Sequence, residues 1–512
     1  MVWEVATRRG HVGQGPAVSG PWHTLADLNA VAGWLLWSHR MASEFGGMTG
    51  RTFAAAARER GVSLSETEVS RAESGEGDVA ITAVPKYERV LGMQVGALSA
   101  PLRSAARLAP GLPGADRLRT LRSVPKSVDV RQEVVNDAYV RWSAGEHLTG
   151  SDWLQLVDAI TYDKQSLLPD ALASEWIRQL LDEGMRSVNA AYFARIEALS
   201  VIAGHDHYAL HLLAATRELT SVAGASGTAD AWAVIGDMRS PAVRAALLAE
   251  LPSVPDERLF LHGIALVTPM ERGDLTPAQH QAIAQDLERR LARWTLQSYE
   301  PIATIAAELP EALGGPILRA IDRGVHPMSR LTGHREHRDV GEEIEIYTRA
   351  AMARTWPDHP TGSVLPELLR LVLSSESFSV RHHAASLIFC SPFTASICEA
   401  AADLALSASS PPTRQLATYL VSRLGTRENA ERLRLLLKQA RQAGLVTNTL
   451  TTMAHAGILT DQDDLTEFMR NEKYRYTGIY AAGITGHPDL YSADADSDWA
   501  SWWRAKGGGV WV

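Results

Sequence analysis

The sequence predicts an all-α protein in two parts: a compact bundle of short helices near the amino end, then a long array of helical segments. Three observations carry this. From about Val128 to Trp503, Ala- and Leu-rich segments of helical length follow one another with short polar or Pro/Gly breaks. The period-2 alternation of a half-buried strand is scarce throughout. Between Ala100 and Lys126, Pro101, Pro110, Pro113 and Pro125 recur among Gly111, Gly114 and several arginines, a spacing that no continuous helix tolerates. At 512 residues the chain is too long for one core. The expected division is an N-terminal arm at 1–20, the bundle at 21–100, a Pro/Arg-rich linker at 101–126 and the helical array at 127–512.

Composition narrows the function classes. With 46% hydrophobic and 21% charged residues, and no run of about 18 apolar residues, the chain does not read as a membrane protein or a disordered scaffold. Cys390 and Cys398 are too few for a disulfide framework or a Cys-rich zinc site, which fits a reducing cytoplasm. Met1 to Gly20 holds Arg8 and Arg9 with no apolar core after them, so neither a signal nor a transit peptide is expected. The formal net charge is −9, but residues 1–126 carry 15 Lys and Arg against 11 Asp and Glu, so the amino end is the basic part.

The bundle is legible helix by helix. Leu28, Val31, Ala32, Leu35 and His39 form one face of a first helix. Thr49 or Thr52 can cap a second, Phe53 to Arg60, which Gly61 stops in a left-handed conformation. After a turn at Val62-Ser63-Leu64, Ser65-Glu66-Thr67-Glu68 fits a capping box, with the helix it opens ending at Gly75. Pro85 is expected to start a closing helix in which Tyr87, Val90 and Leu91 pack inward before Gly92. Val62, Val69 and Leu91 are assigned to the core.

Three runs in this stretch resemble the lambda-repressor-like (XRE) helix-turn-helix DNA-binding domain. They are Phe53-Ala-Ala-Ala-Ala-Arg-Glu-Arg-Gly61-Val62-Ser63, Val69-Ser70-Arg71-Ala72-Glu73-Ser74-Gly75, and Lys86-Tyr87-Glu88-Arg89-Val90-Leu91-Gly92. The stretch that holds them, residues 25–98, is about a seventh of the chain. The departure is in the turn: five residues, Leu64 to Glu68, stand where the family has three, which leaves the register of the recognition helix open. The resemblance implies that Ser65, Thr67 and Glu68 read bases, that Ser70 and Arg71 contact base or phosphate, and that Thr52 and Ser63 donate to phosphates. Two alternatives stand beside it. Ser65 and Glu68 could serve only as caps, and Arg71 could pair with Glu73 or Glu68 along the helix.

In the long array one pattern returns: Ser240-Pro-Ala-Val243-Arg244, Ser377-Phe-Ser-Val380-Arg381 and Ser410-Pro-Pro-Thr413-Arg414. Ser caps the first exposed N–H groups, and Pro suits the first helical position. The pattern resembles the second-helix opening of HEAT-like repeats, which implies an α-solenoid of irregular repeats.

Other clusters point less far. His205-Asp206-His207 with His211 sets two imidazoles at i, i+4 with a carboxylate between them. With no fourth ligand evident, it is read as a polar helix start, and no metal is expected. His337-Arg338-Asp339 copies kinase catalytic-loop letters without the rest of that machinery. Arg330 to Arg338 is the one basic cluster of the acidic tail and could dock a phosphate, an acidic partner or DNA. His382-His383 could be buried beside Phe378 and Leu387. The rings from Trp499 to Trp511 are expected to cap the last repeat. No phosphate loop or nucleophile elbow occurs, so neither enzyme activity nor a cofactor is expected.

The sequence therefore predicts a cytoplasmic, nucleoid-associated transcriptional regulator. Its partners would be double-stranded DNA, a second copy of the chain, and a small-molecule, peptide or protein effector on the helical repeats, with no membrane partner. The alternative is an interaction scaffold whose head does not bind DNA.

Overall fold

The computed structural model describes residues 27–108, 111–124, 126–162, 168–293, 299–324, 340–355, 364–375 and 378–511. Among them every regular element is helical, and the one β contact is an isolated bridge between Ser187 and Val510. Arg330 to Asp339, Ser377, Met1 to Gly20, Pro110 and Pro125 lie outside the described residues.

The amino-terminal helices are α1 (Leu28–Ala42), α2 (Gly50–Glu59), α3 (Glu66–Glu73), α4 (Asp78–Val90), α5 (Ser99–Leu108) and α6 (Ala115–Thr120). Then follow α7 (Val128–Ser143), α8 (Gly150–Ile160), α9 (Asp170–Met185), α10 (Asn189–Ala203), α11 (Asp206–Ser221), α12 (Thr228–Gly236), α13 (Pro241–Glu250), α14 (Asp256–Glu271), α15 (Pro277–Leu291), α16 (Tyr299–Ala307) and α17 (Glu311–Gly324). The last are α18 (Gly341–Thr355), α19 (Val364–Ser374), α20 (Phe378–Phe389), α21 (Thr394–Ser407), α22 (Pro411–Leu424), α23 (Ala430–Gln439), α24 (Ala443–His455), α25 (Thr466–Arg470), α26 (Arg475–Thr485) and α27 (Asp498–Lys506).

The chain divides into two compact units. One takes in the described residues of Met1–Pro125, Val188–Ala194 and Arg338–Gly509; the other takes in Lys126–Ser187, Arg195–His337 and Val510–Val512. In the first, the amino-terminal bundle packs on distant helices. Trp34 of α1 stacks on Phe393 with ring centroids 5.9 Å apart, the His39 Nε2 lies 2.6 Å from the Cys390 carbonyl, and the Ser104 hydroxyl of α5 lies 2.9 Å from His383 Nε2. The stretch read as a linker holds α5 and α6 instead. Pro101 falls in the first turn of α5, where a missing N–H costs nothing, and the break comes between the two helices.

Further along this unit, α21 packs on α22, α22 on α24, and α24 on α26. Trp502 and Trp503 are buried at the end of the series, and a side chain at Gly483 would strike the Trp503 ring. Trp499 and Trp511 stay exposed.

The repeated helix opening has a local chemical use. Ser240 and Ser410 occupy N-cap positions with Pro241 and Pro411 first in the helix, although only Ser410 caps through its side chain. In all three copies the arginine folds back onto a carbonyl of the preceding loop: Arg244 on Arg239, Arg381 on Ser375 and Arg414 on Ala408. Each such bond stabilises an otherwise loose connection by about 1 kcal/mol.

Candidate nucleic-acid interface

The candidate surface rests on the α2–α3 pair. Thr49 caps α2 by accepting from the Thr52 N–H, and the helix starts a turn earlier than the sequence reading, at Gly50. Gly61, with φ of +74°, turns the chain, and Val62 and Leu64 drop into the core. Ser65 caps α3 from the Glu68 N–H at 3.1 Å. The five residues that depart from the family spacing split: Leu64 and Ser65 precede α3, and Glu66 to Glu68 form its first turn.

Packing then sets which edge of α3 is free. Val69 and Ala72 face inward, toward a core of Val31, Leu35, Phe53, Ala57, Ile81 and Tyr87. Behind them α1 and the end of α3 touch backbone to backbone. A Cβ on Gly33 would stand 2.5 Å from the Gly75 nitrogen, and Gly75, with φ of +71°, leaves no room for its own against Ala30. With this side closed, Thr67, Ser70 and Arg71, spaced i, i+3 and i+4, form an exposed edge, flanked by exposed Ser65 and by Ser63 in the turn. The hydroxyls of Ser63, Thr67 and Ser70 have no hydrogen-bond partner among the described residues. Thr52 is exposed too, but its hydroxyl donates to the Thr49 carbonyl at 2.9 Å.

Four readings need correction. Glu68 does not complete a capping box: its carboxylate takes Lys86 Nζ at 2.5 Å, because α4 brings a full cation within reach, which outbids a cap amide already near water. Arg71 pairs with Glu76 at 3.2 Å, since Glu73 is occupied elsewhere. Pro85 lies inside α4, which starts at Asp78 after the N-cap Gly77. Burial of Ala80, Ile81, Ala83 and Val84 outweighs the one backbone bond that the proline removes, a cost of about 3 kcal/mol. Leu91, assigned to the core, is only half-buried.

Glu73 holds the bundle together from inside. Arg40 grips it through two bonds of 2.5 and 2.7 Å and the Tyr87 hydroxyl donates to it at 2.8 Å, linking α1, α3 and α4. Burial, and then the Glu73 charge, push the Tyr87 phenol well above its ordinary value, so it remains a donor. Glu88 is also wholly buried. It accepts from the N–H groups of Gly96, Leu98 and Ser99, closing the turn into α5, and burial raises its carboxyl above the usual range. Sequence reading offered Glu73 only as a partner for Arg71 and gave Glu88 no role, although Ile81, Val84 and Glu88 share one face by spacing.

The electrostatics are mixed. Exposed Arg51 sits in the uncompensated first turn of α2, which holds no acid, and exposed Arg58 lies two turns on along the same face. Against them, Glu66 and Glu76 are exposed at either end of α3. Such an edge can present hydroxyls and one guanidinium to base edges or phosphates, with the α2 N-terminus and Arg51 as a phosphate seat.

In the second unit, the histidines read as a polar helix start do open α11, but His205 at the N-cap makes no cap bond. The carboxylate beside His207 and His211 is Asp170 of α9, not Asp206. A scan of family models, a search of curated proteins and a search of solved structures each returned no match to this chain.

Proposed function

We propose that the protein is a sequence-specific DNA-binding transcriptional regulator of the XRE helix-turn-helix type. In this reading α3 is the recognition helix: Ser65, Thr67 and Glu68 approach base edges, Ser70 and Arg71 reach bases or phosphates, and Thr52 and Ser63, joined by Arg51, hold the backbone. The observation that supports it is the exposed edge of Thr67, Ser70 and Arg71 on a helix whose other side is locked by Val69, Ala72 and Gly75. A helix is read in the major groove only if it is rigid from behind and polar in front.

The later helices act as HEAT-like repeats that dimerise the chain and receive a small-molecule, peptide or protein effector. A bundle with so small a positive surplus binds weakly as one copy, and two copies on half-sites roughly 34 Å apart restore affinity through effective concentration. The acid-flanked α3 favours a second reading, an interaction scaffold whose head leaves DNA alone.

The test is to incubate full-length protein with sheared genomic DNA, sequence what it retains and measure the salt dependence of binding. The regulator reading expects discrete enriched sites. It also expects Arg71→Ala to weaken binding by about 1–3 kcal/mol with unchanged melting. Retention of no fragment above background at low salt would leave the scaffold.

A further inference from the structure

We infer that Asp170, His207 and His211 form a binding site for a divalent transition metal of the zinc class, with one coordination position left open. His207 and His211 stand one helical turn apart on α11, so both imidazoles leave the same face. Asp170 is the first residue of α9, which packs against α11, and its Oδ1 lies 3.4 Å from His207 Nε2 and 3.7 Å from His211 Nε2. All three ligand atoms fall within 4.8 Å of one another. These separations are long for hydrogen bonds. They suit a shared ion, because metal–ligand lengths of about 2.0–2.1 Å in a tetrahedron put neighbouring ligand atoms about 3.3–3.5 Å apart.

Two independent observations support a ligand there. The His207 Nε2 is buried and makes no hydrogen bond among the described residues, a costly state for a polar nitrogen set beside a carboxylate and a second imidazole. The His211 Nδ1 lies 2.9 Å from the Ser174 hydroxyl of α9. In the tautomer in which Nδ1 donates to that hydroxyl, Nε2 is bare toward the cluster, the outer-shell arrangement that orients metal-bound histidines. Two imidazoles and one carboxylate select zinc, cobalt, nickel or copper over the hard cations, which take oxygen sets. Asp170 is largely exposed, so the open position faces water. Tyr208 and Ala173, the sequence neighbours of His207 and Ser174, line an apolar cleft on the inner side. The bound ion would clamp the start of α9 to α11.

The experiment strips full-length protein with a chelator and titrates it with cobalt(II) alone, then displaces the cobalt with zinc(II). The expected result is one ion per chain and a visible absorption band of low-coordinate cobalt that zinc bleaches. His207→Gln, His211→Gln and Asp170→Asn should each lower affinity by about tenfold or more, and Ser174→Ala by a smaller factor. Asp206→Asn should bind like the unaltered protein. Far-UV circular dichroism without metal shows whether each variant keeps its helix content. Less than one ion per chain, or unchanged affinity in helically intact His207→Gln and His211→Gln proteins, overturns the site. So does loss of binding in Asp206→Asn with retention in Asp170→Asn.

Discussion

Each unit is pinned by an arginine–glutamate pair, and the two pairs differ in how completely they are dried. In the amino-terminal bundle, Arg40 and Glu73 keep 8% and 11% of their side chains in contact with solvent, and the Glu73 charge outweighs the burial of Arg40. In the second unit, Arg195 and Glu183 keep 0% and 2%, and burial pulls Arg195 below its usual value despite its partner. Glu183 also accepts from the Trp153 indole at 2.7 Å and from Gln179, and Arg195 donates to the Leu148 carbonyl at 2.9 Å. The chemistry is the same and the cost is not. A pair near water can lose a member and let solvent take its place, while a dry pair cannot. The moist pair lies directly behind α3, and the dry one ties α8, α9 and α10 far from it in sequence.

Removing one member from each pair breaks the comparison most directly. Arg195→Met should cost about 3–5 kcal/mol, because it strands Glu183 in a dry site, and denaturant unfolding of the full chain reads it. Arg40→Met should cost about 2 kcal/mol, since water can reach Glu73 and Tyr87 still donates to it. Equal losses in the two variants would show that dryness does not set the difference.

Acid separates the units in another way. Burial pushes His39, His382 and His455 of the first unit below their ordinary value, His455 to about 4, whereas His262 is the counterpart in the second. A histidine with a depressed folded value takes its proton first in the unfolded chain. Stability is therefore full above about pH 6.5 and is lost as pH falls toward 4. At pH 5 the loss from His455 alone is about 2 kcal/mol. Chemical denaturation at pH 7.5 and 5 should show it, and His455→Gln should flatten that slope. The smallest expected change is Arg71→Ala, within about 0.5 kcal/mol in stability, because its guanidinium is exposed and among the described residues pairs with exposed Glu76.

Local rules, each spanning a few residues, were readable along the chain. The Leu28 to His39 face, the Ser65 cap, the left-handed Gly61, the helix end at Gly75 and the Ser-Pro helix openings follow from spacing and conformational freedom, which need no distant partner. Where a carboxylate goes was not readable in that way. Glu68 turned to Lys86, Glu73 to Arg40 and Tyr87, Glu88 to the turn before α5, and Asp170 to two histidines more than thirty residues on. The face of α1 that carries Trp34 and His39 found Phe393 and Cys390, which made one unit of segments that sequence placed apart. Charges and aromatic rings act over several ångströms in whatever company packing brings, so their partners are decided only when remote helices close on one another.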